Sequence, residues 1–242
     1  MAAPRTIVIP ALKKHTATVI CVHGLGDTGS GWVFLAESFR RRGLFQDVAF
    51  VFPSAPNIPI TVNMGMQMPG WYDIISFDTL NRSDDEPGIL RSRTYLHSLV
   101  AAELAKGIPA RRVILGGFSQ GGAMSVFAGL TYPGPGRLGG VFGLSCYQLL
   151  EGKFDALRKE AADAGAGEAP PVFMGHGQED PLVRLEWGQA TAEGLKKKGI
   201  EVDWHEYPRL PHSAAPEEID DLEKWVTKRL DETKGETSSA GL

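Results

Sequence analysis

The sequence predicts an α/β fold with a mostly parallel central sheet and helices on both faces. Short apolar, β-rich runs recur along the chain, and most are continuous rather than alternating, as expected of strands buried on both faces. Helix-like stretches separate them, which is typical of strand–helix–strand units. The chain has 242 residues, of which 43% are hydrophobic, enough for one sizeable core.

Six runs are predicted as strands because they are rich in apolar and β-forming side chains. They cover residues 19–22, 48–52, 113–115, 140–144, 172–174 and 202–207. The clearest helix is predicted over 89–104, where the apolar residues fall mostly on one face. Further helices are expected to begin near Trp32, Ser119, Arg184 and Pro216. Ligand sites of such folds lie beyond the carboxyl ends of the strands, so functional residues are expected in the strand-to-helix loops.

We expect a single domain over residues 1–230 and a polar, unstructured tail over 231–242, where small and polar residues dominate. The connection at 53–86 is too long for a plain crossover loop, and connections of that length are usually functional. It is interpreted as a lid-like loop.

Composition excludes several classes of protein. Charged residues make up 22% and the net charge is −4, so no basic footprint for nucleic acid is present. No apolar stretch is long enough to span a bilayer, which predicts a soluble protein with at most transient membrane contact. Cys21 and Cys146 each lie in an apolar run and are expected to be free thiols. We expect a monomer or weak dimer in the cytoplasm, with the nucleus as an additional location.

The strongest motif is GFSQG at 117–121, a G-x-S-x-G directly after a predicted strand and at the start of a helix. Such a turn presents the serine hydroxyl above the sheet, and its glycines avoid side-chain clashes. The motif predicts Ser119 as a nucleophile. In such folds the acid and then the base follow the nucleophile along the chain, so both are expected after Ser119.

His212 is the predicted base, because it lies in the loop after the strand at 202–207, whereas His205 lies inside that strand. Asp180 is the predicted acid, since its loop begins at the carboxyl end of the strand at 172–174. Glu179 is the closest rival for the acid. Asp155 and Asp163 are weaker rivals, in a helix-like or Gly-Ala-rich stretch.

Two backbone amides are predicted to hold the developing oxyanion: those of Gln120, after the nucleophile, and Leu25, in the glycine-rich loop HGLGDTG at 23–29. This loop also matches G-x-G-x-x-G, but the strand at 48–52 ends without the acidic residue that a dinucleotide site needs. His176, Glu179 and Asp180 lack a fourth ligand, so we expect no metal. We expect no cofactor either, because backbone amides can polarise the carbonyl.

Taken together, HGLGDTG at 23–29, GFSQGG at 117–122, DPLV at 180–183 and PH at 211–212 resemble the acyl-protein thioesterase family of α/β-hydrolases, also described as lysophospholipase/carboxylesterase. MPGWYDI at 68–74 is similar to a further family segment. The resemblance implies Ser119, Asp180 and His212 as the triad, and Leu25 and Gln120 as the oxyanion hole. One position departs from the family pattern: Gln178 stands where the family commonly has Asp.

The family resemblance implies hydrolysis of S-palmitoylated proteins, with lysophospholipids and short-chain esters as alternative substrates. A catalytically silent relative that binds a small apolar ligand is the alternative from another class, because fold alone does not confer activity.

Apolar residues alternate along the long connection, which indicates an extended segment with one apolar face. We expect this face to line a channel for the acyl chain, since methionine suits flexible ligands. The alternative is a short edge strand docked on the core. The predicted substrate-binding residues are Ile60, Met64, Met66, Met68 and Trp71.

Overall fold

The computed structural model describes residues 5–76 and 85–233. Residues 77–84 of the predicted lid-like connection and residues 234–242 of the predicted tail lie outside the described residues. Asp231, where we placed the start of the tail, is instead the last residue of a helix that begins at Pro216.

The predicted α/β fold is confirmed. A seven-stranded sheet runs in the order β1-β3-β2-β6-β7-β8-β9, and all neighbours are parallel except the edge strand β1, which is antiparallel to β3. A separate antiparallel pair is formed by β4 and β5. The strands are β1 Ile7–Ile9, β2 Ala17–Val22, β3 Val48–Phe52, β4 Asn57–Ile60, β5 Met66–Pro69, β6 Val113–Phe118, β7 Gly140–Leu144, β8 Val172–Gly177 and β9 Val202–Tyr207.

Helices cover both faces of the sheet, so the strands read as continuous apolar runs. They are α1 Val33–Arg41, α2 Glu86–Ala105, α3 Gln120–Leu130, α4 Glu151–Asp163, α5 Leu185–Lys197 and α6 Pro216–Asp231. One core cluster packs α1 and α6 against the sheet, and the other packs α2 to α5 against the opposite face. Along β2, Ile20 belongs to one cluster and Cys21 to the other.

The predicted strands at 48–52, 140–144 and 202–207 have the expected bounds. Strand β2 begins two residues earlier, at Ala17, and β6 and β8 extend further through glycines. Strand β6 continues through Gly116 and Gly117, where no larger residue fits. A Cβ at Gly116 would lie 2.0 Å from the Phe142 ring, and one at Gly117 would lie 2.3 Å from the Val22 carbonyl oxygen. The prediction ended this strand before the two glycines. The structure shows that they lie within the strand, where the close packing of neighbouring groups requires glycine.

The β4–β5 hairpin replaces the single extended segment that we predicted within the long connection. The chain reverses through a short helical turn at Thr61–Asn63, followed by Met64 and Gly65, which both have positive φ. Ile58 then faces Met68, and Ile60 faces Met66. A glycine between two alternating runs is a hairpin signal that could have identified this turn.

Cys21 and Cys146 are both free and fully buried, as predicted for structural thiols. Burial raises the pKa of each thiol well above its ordinary value, so neither is readily ionised. Among the described residues, no helix is long and apolar enough to cross a bilayer.

Candidate active site

Ser119 lies at a sharp turn between β6 and α3. Its backbone adopts φ 53° and ψ −123°, a conformation that residues other than glycine rarely adopt. The turn needs close backbone approach, since a Cβ at Gly121 would lie 2.3 Å from the carbonyl oxygens of Val22 and His23. The Ser119 N–H donates to the Leu144 carbonyl at 2.8 Å, which ties the turn to the next strand.

His212 and Asp180 reach Ser119 from the loops after β9 and β8. Nε2 of His212 lies 2.9 Å from the Ser119 hydroxyl oxygen, and Nδ1 lies 2.7 Å from an Asp180 carboxylate oxygen. With Nδ1 protonated, Nε2 is free to accept the serine proton, which is the arrangement of a nucleophile, a base and an orienting acid. The imidazole also packs on Phe118, with ring centroids 4.8 Å apart.

The Asp180 side chain is fully buried beside the mostly buried imidazole of His212. Burial opposes its ionisation, but the hydrogen bond and charge of His212 and the amides of Val183 and Leu182 outweigh burial, so the pKa of Asp180 lies below its ordinary value. Both amides donate to the same carboxylate oxygen at 2.9 Å. The carboxylate is therefore held charged, with its second oxygen aimed at the base.

Leu25 and Gln120 both lie beside the nucleophile. Gln120 is the first residue of α3, and Leu25 follows Gly24, where a Cβ would lie 3.3 Å from Cβ of Ser119. Within the described residues neither the Leu25 nor the Gln120 amide has a backbone hydrogen-bond partner, and both residues line the cleft above Ser119. Two unpaired amides beside a nucleophile form the arrangement that stabilises an oxyanion.

The triad opens into a cleft of about 490 Å³, which is in the range of small-molecule sites. Its walls come from the loops after the strands and from the start of α1 and α5. Most of the side chains that line it are apolar. They are Leu25, Trp32, Phe34, Ile74, Phe118, Tyr147, Leu182, Val183, Trp187 and Ala214.

The predicted acyl-binding residues do not line this cleft, and that prediction is corrected. Ile60 is fully buried in the core, and Met68 packs against the same core from the edge. Met64 and Met66 instead point to solvent at the hairpin tip, with 94% and 59% of their surface exposed. Trp71 is 2% exposed and lies behind the site. Folding of the segment into a hairpin directs its apolar face to the core rather than to the cleft.

The cleft residues that sequence reasoning missed lie next to motifs that it found. Leu182 follows Asp180 in the same loop, and Phe34 is the second residue of α1, shortly after the glycine-rich loop. The rule that ligands bind beyond the strand ends could have identified both.

The rival site residues have other surroundings, and none lines the cleft. His205 faces Asp203 at 2.9 Å within β9, and Glu179 is exposed. Asp155 and Asp163 both lie on α4 and pair with surface lysines.

His176 makes a structural contact, since its Nε2–H donates to the Val183 carbonyl at 2.8 Å and burial lowers the pKa of its ring. In residues 5–76 and 85–233, no three His, Cys, Asp or Glu side chains group together as metal ligands do.

Gln178, which departs from the family pattern, donates to the carboxylate of Glu206 on β9 at 3.1 Å. Gln189 and Trp204 donate to the other oxygen of the same carboxylate. These three donors lower the pKa of Glu206. An Asp at position 178 would place a second negative charge beside Glu206, so the amide suits this neighbour.

The fold and the triad geometry define a serine hydrolase of the α/β-hydrolase class. The phospholipase/carboxylesterase family model matches residues 3–230, and the chain belongs to this family. The resemblance inferred from the motifs is thereby confirmed.

Two fungal relatives are similar over nearly their whole lengths. Acyl-protein thioesterase 1 of Emericella nidulans is 51% identical over 94% of this chain and 96% of that protein. Acyl-protein thioesterase 1 of Gibberella zeae is 49% identical over 93% of this chain and 95% of that protein. The crystal structure of Zea mays acyl-protein thioesterase 2 superposes with a TM-score of 0.80 at 27% identity, covering 93% of this chain and 99% of that one.

Proposed function

We propose that this chain is an acyl-protein thioesterase that removes long acyl chains, palmitoyl above all, from S-acylated proteins. The observation that carries the proposal is the placement of Ser119 and His212, 2.9 Å apart, at the base of a cleft with mostly apolar walls. Ser119 and His212 can attack a carbonyl carbon, and the apolar walls can bind the acyl chain attached to that carbon. The names of the relatives, of which the chain covers nearly the full length, support the same activity.

In the first half of the reaction, Nε2 of His212 accepts the proton of Ser119 as the hydroxyl oxygen attacks the thioester carbonyl carbon. The negative charge moves to the carbonyl oxygen, between the amides of Leu25 and Gln120. When the tetrahedral intermediate collapses, the carbon–sulfur bond breaks and the thiolate takes the proton from His212. Asp180 stabilises the imidazolium throughout and keeps the ring oriented.

In the second half, water replaces the thiol. His212 removes a proton from water, whose oxygen attacks the acyl-serine carbonyl, and the second intermediate forms between the same two amides. Its collapse returns the proton to the oxygen of Ser119 and releases the fatty acid. The overall reaction consumes one water and yields a carboxylic acid and a thiol.

The test compares three substrates on one preparation: a palmitoylated cysteine peptide, a lysophospholipid and p-nitrophenyl butyrate. We expect the highest kcat/KM for the palmitoyl thioester and no turnover of any substrate above background by Ser119→Ala. A fluorophosphonate probe should label the wild type and not this variant. A preference for the lysophospholipid would instead make the chain a lysophospholipase, and failure of the probe to label Ser119 would contradict a serine mechanism.

We also propose that the protein is cytoplasmic, with a nuclear fraction, and is a monomer or weak dimer. Its substrates lie at membrane surfaces, and the exposed Met64 and Met66 at the hairpin tip support transient contact there. Co-sedimentation with lipid vesicles should weaken in a Met64→Ser, Met66→Ser variant. Unchanged co-sedimentation would remove the hairpin from this role, and sedimentation velocity would measure the oligomeric state.

A further inference from the structure

Trp71 connects three elements from its buried position behind the active site. Its backbone N–H donates to Oε1 of Gln120 at 2.8 Å, and its indole Nε1–H donates to the His23 carbonyl at 2.8 Å. Its own carbonyl accepts a hydrogen bond from the Ser92 hydroxyl on α2. Trp71 itself does not line the cleft, although its partner Gln120 does.

Two of these partners are close to the oxyanion amides: Gln120 supplies one amide, and His23 begins the loop that supplies the other. Gln120 supplies one amide from its backbone, while its side chain is 1% exposed and faces away from the cleft toward the long connection. There its Nε2–H₂ donates to the Tyr72 carbonyl at 2.7 Å, so the side-chain amide both accepts from and donates to the Trp71–Tyr72 backbone. The position of the Gln120 backbone is thus coupled to that of Trp71.

The other partner, His23, begins the loop that carries Leu25. Its ring is fully buried, and burial lowers its pKa, which favours the neutral form. Nδ1–H donates to the Gly24 carbonyl at 2.7 Å, and Nε2 accepts from the Ala55 N–H at 2.9 Å. The indole of Trp71 also contacts this ring, with centroids 5.1 Å apart. The loop is therefore held from the same side as Gln120.

We propose that Trp71 is a positioning residue that sets the two halves of the oxyanion hole relative to each other. The indole N–H fixes the His23–Leu25 loop, and the backbone N–H fixes Gln120. Oxyanion stabilisation depends on donors that are already in place when charge develops, so a small displacement of one amide lowers the rate of acyl transfer. The inference rests on the proposed hydrolase function, because it concerns the rate of that reaction.

The test uses two variants that each remove one connection and leave both oxyanion amides in the chain. Trp71→Phe removes the indole N–H and keeps an aromatic ring, and Gln120→Met removes the side-chain amide. With p-nitrophenyl butyrate, we expect each to lower kcat about tenfold or more, with KM within about twofold of wild type. The loss should be the same for a long-chain ester, and affinity for a trifluoromethyl ketone, which forms a tetrahedral adduct with Ser119, should fall in proportion.

Ser92→Ala is the matched control, since it removes a buried hydrogen bond to the same Trp71 without touching either oxyanion loop. It should lower Tm as much as Trp71→Phe does, yet leave kcat within about twofold of wild type. If Trp71→Phe does not fold, Gln120→Met alone decides the question.

Normal kcat in Trp71→Phe and Gln120→Met would overturn the inference, as would an equal loss of kcat in Ser92→Ala. A loss that appears only in KM for long chains would also overturn it, because it would indicate substrate contact. Retained activity in Ser119→Ala would instead refute the proposed function, whatever the Trp71 variant does.

Discussion

The Asp180 carboxylate lies 2.7 Å from Nδ1 of His212, with its other oxygen bound by the amides of Val183 and Leu182. The carboxylate is therefore oriented by the chain that follows it, and it in turn selects the tautomer of the imidazole. Only the tautomer with a proton on Nδ1 leaves Nε2 able to accept the Ser119 proton.

Asp180→Asn should keep the fold but lower kcat for p-nitrophenyl butyrate by on the order of a thousandfold or more, because the side-chain amide favours the wrong tautomer. Glu179→Gln is the matched control, since Glu179 is the exposed neighbour and lies outside the cleft. Its kcat should stay near the wild-type value. A damaging Glu179→Gln with an active Asp180→Asn would show that the acid has been misassigned.

Ser119→Ala and His212→Ala should each lower kcat at least a thousandfold, and the double variant should lose little more, since groups that act as one unit are not additive. His205→Ala is the control, because its imidazole stacks on Phe173 and pairs with Asp203 inside the sheet. We expect it to change Tm and not kcat. Independent, multiplicative losses in the double variant would contradict a shared mechanism.

Acyl-chain selectivity should follow the walls of the cleft rather than the hairpin. Phe34→Ala and Leu182→Ala remove apolar side chains that line the cleft and are 42% and 47% exposed. Burial contributes about 0.8 kcal/mol per methylene, so each variant should lower kcat/KM several-fold more for long-chain than for butyryl esters. Met66→Ser, measured with soluble substrates, is the control and should leave this ratio unchanged. A shifted ratio in Met66→Ser would return the hairpin to acyl binding.

Glu218, in the first turn of α6, should make the protein less stable as the pH rises. Its side chain is fully buried, and neither carboxylate oxygen has a hydrogen-bond partner among the described residues. Burial raises the pKa of Glu218 from its ordinary value of 4.5 to about 8. Between these two pH values the folded chain keeps a proton that the unfolded chain has lost, so the free energy of unfolding falls with pH, by up to about 1.4 kcal/mol per unit.

Glu218→Gln should remove this dependence, since the amide is neutral at every pH. The stability of the variant relative to wild type should therefore grow from pH 5.5 to pH 8 and level off above it, as measured by urea unfolding at each pH. If the free energies of unfolding of the two proteins instead changed with pH in parallel, Glu218 would be ionised in the folded state or its charge would be stabilised by a partner.

The sheet and the triad loops were predictable because strong local signals mark them. Continuous apolar runs identify β3 and β7, and each site residue follows a strand end in the expected order. The hairpin was missed because alternating Ile and Met residues are equally compatible with a channel wall and with a docked strand pair. The difference depends on the backbone at Met64 and Gly65, with φ of 57° and 76°.

The cleft walls and the role of Trp71 were not predictable for another reason. Phe34, Ile74 and Trp187 are far apart in sequence and meet only when the layers pack. Trp71 is among the predicted substrate-binding residues and follows the alternating apolar residues of the long connection. Nothing in the sequence shows that its two N–H groups face Gln120 and His23. Such contacts belong to the tertiary structure.

The burial of Cys21 and Cys146 has a practical consequence for spectroscopy. These are the only two cysteines in the sequence, and both thiols are sealed inside the sheet layers and resist ionisation. A maleimide dye or nitroxide therefore finds no accessible native thiolate to attack in the folded protein. A single cysteine introduced at the solvent-facing Met64 would carry the label alone, so fluorescence or spin-label mobility at the hairpin could be read on an otherwise native background.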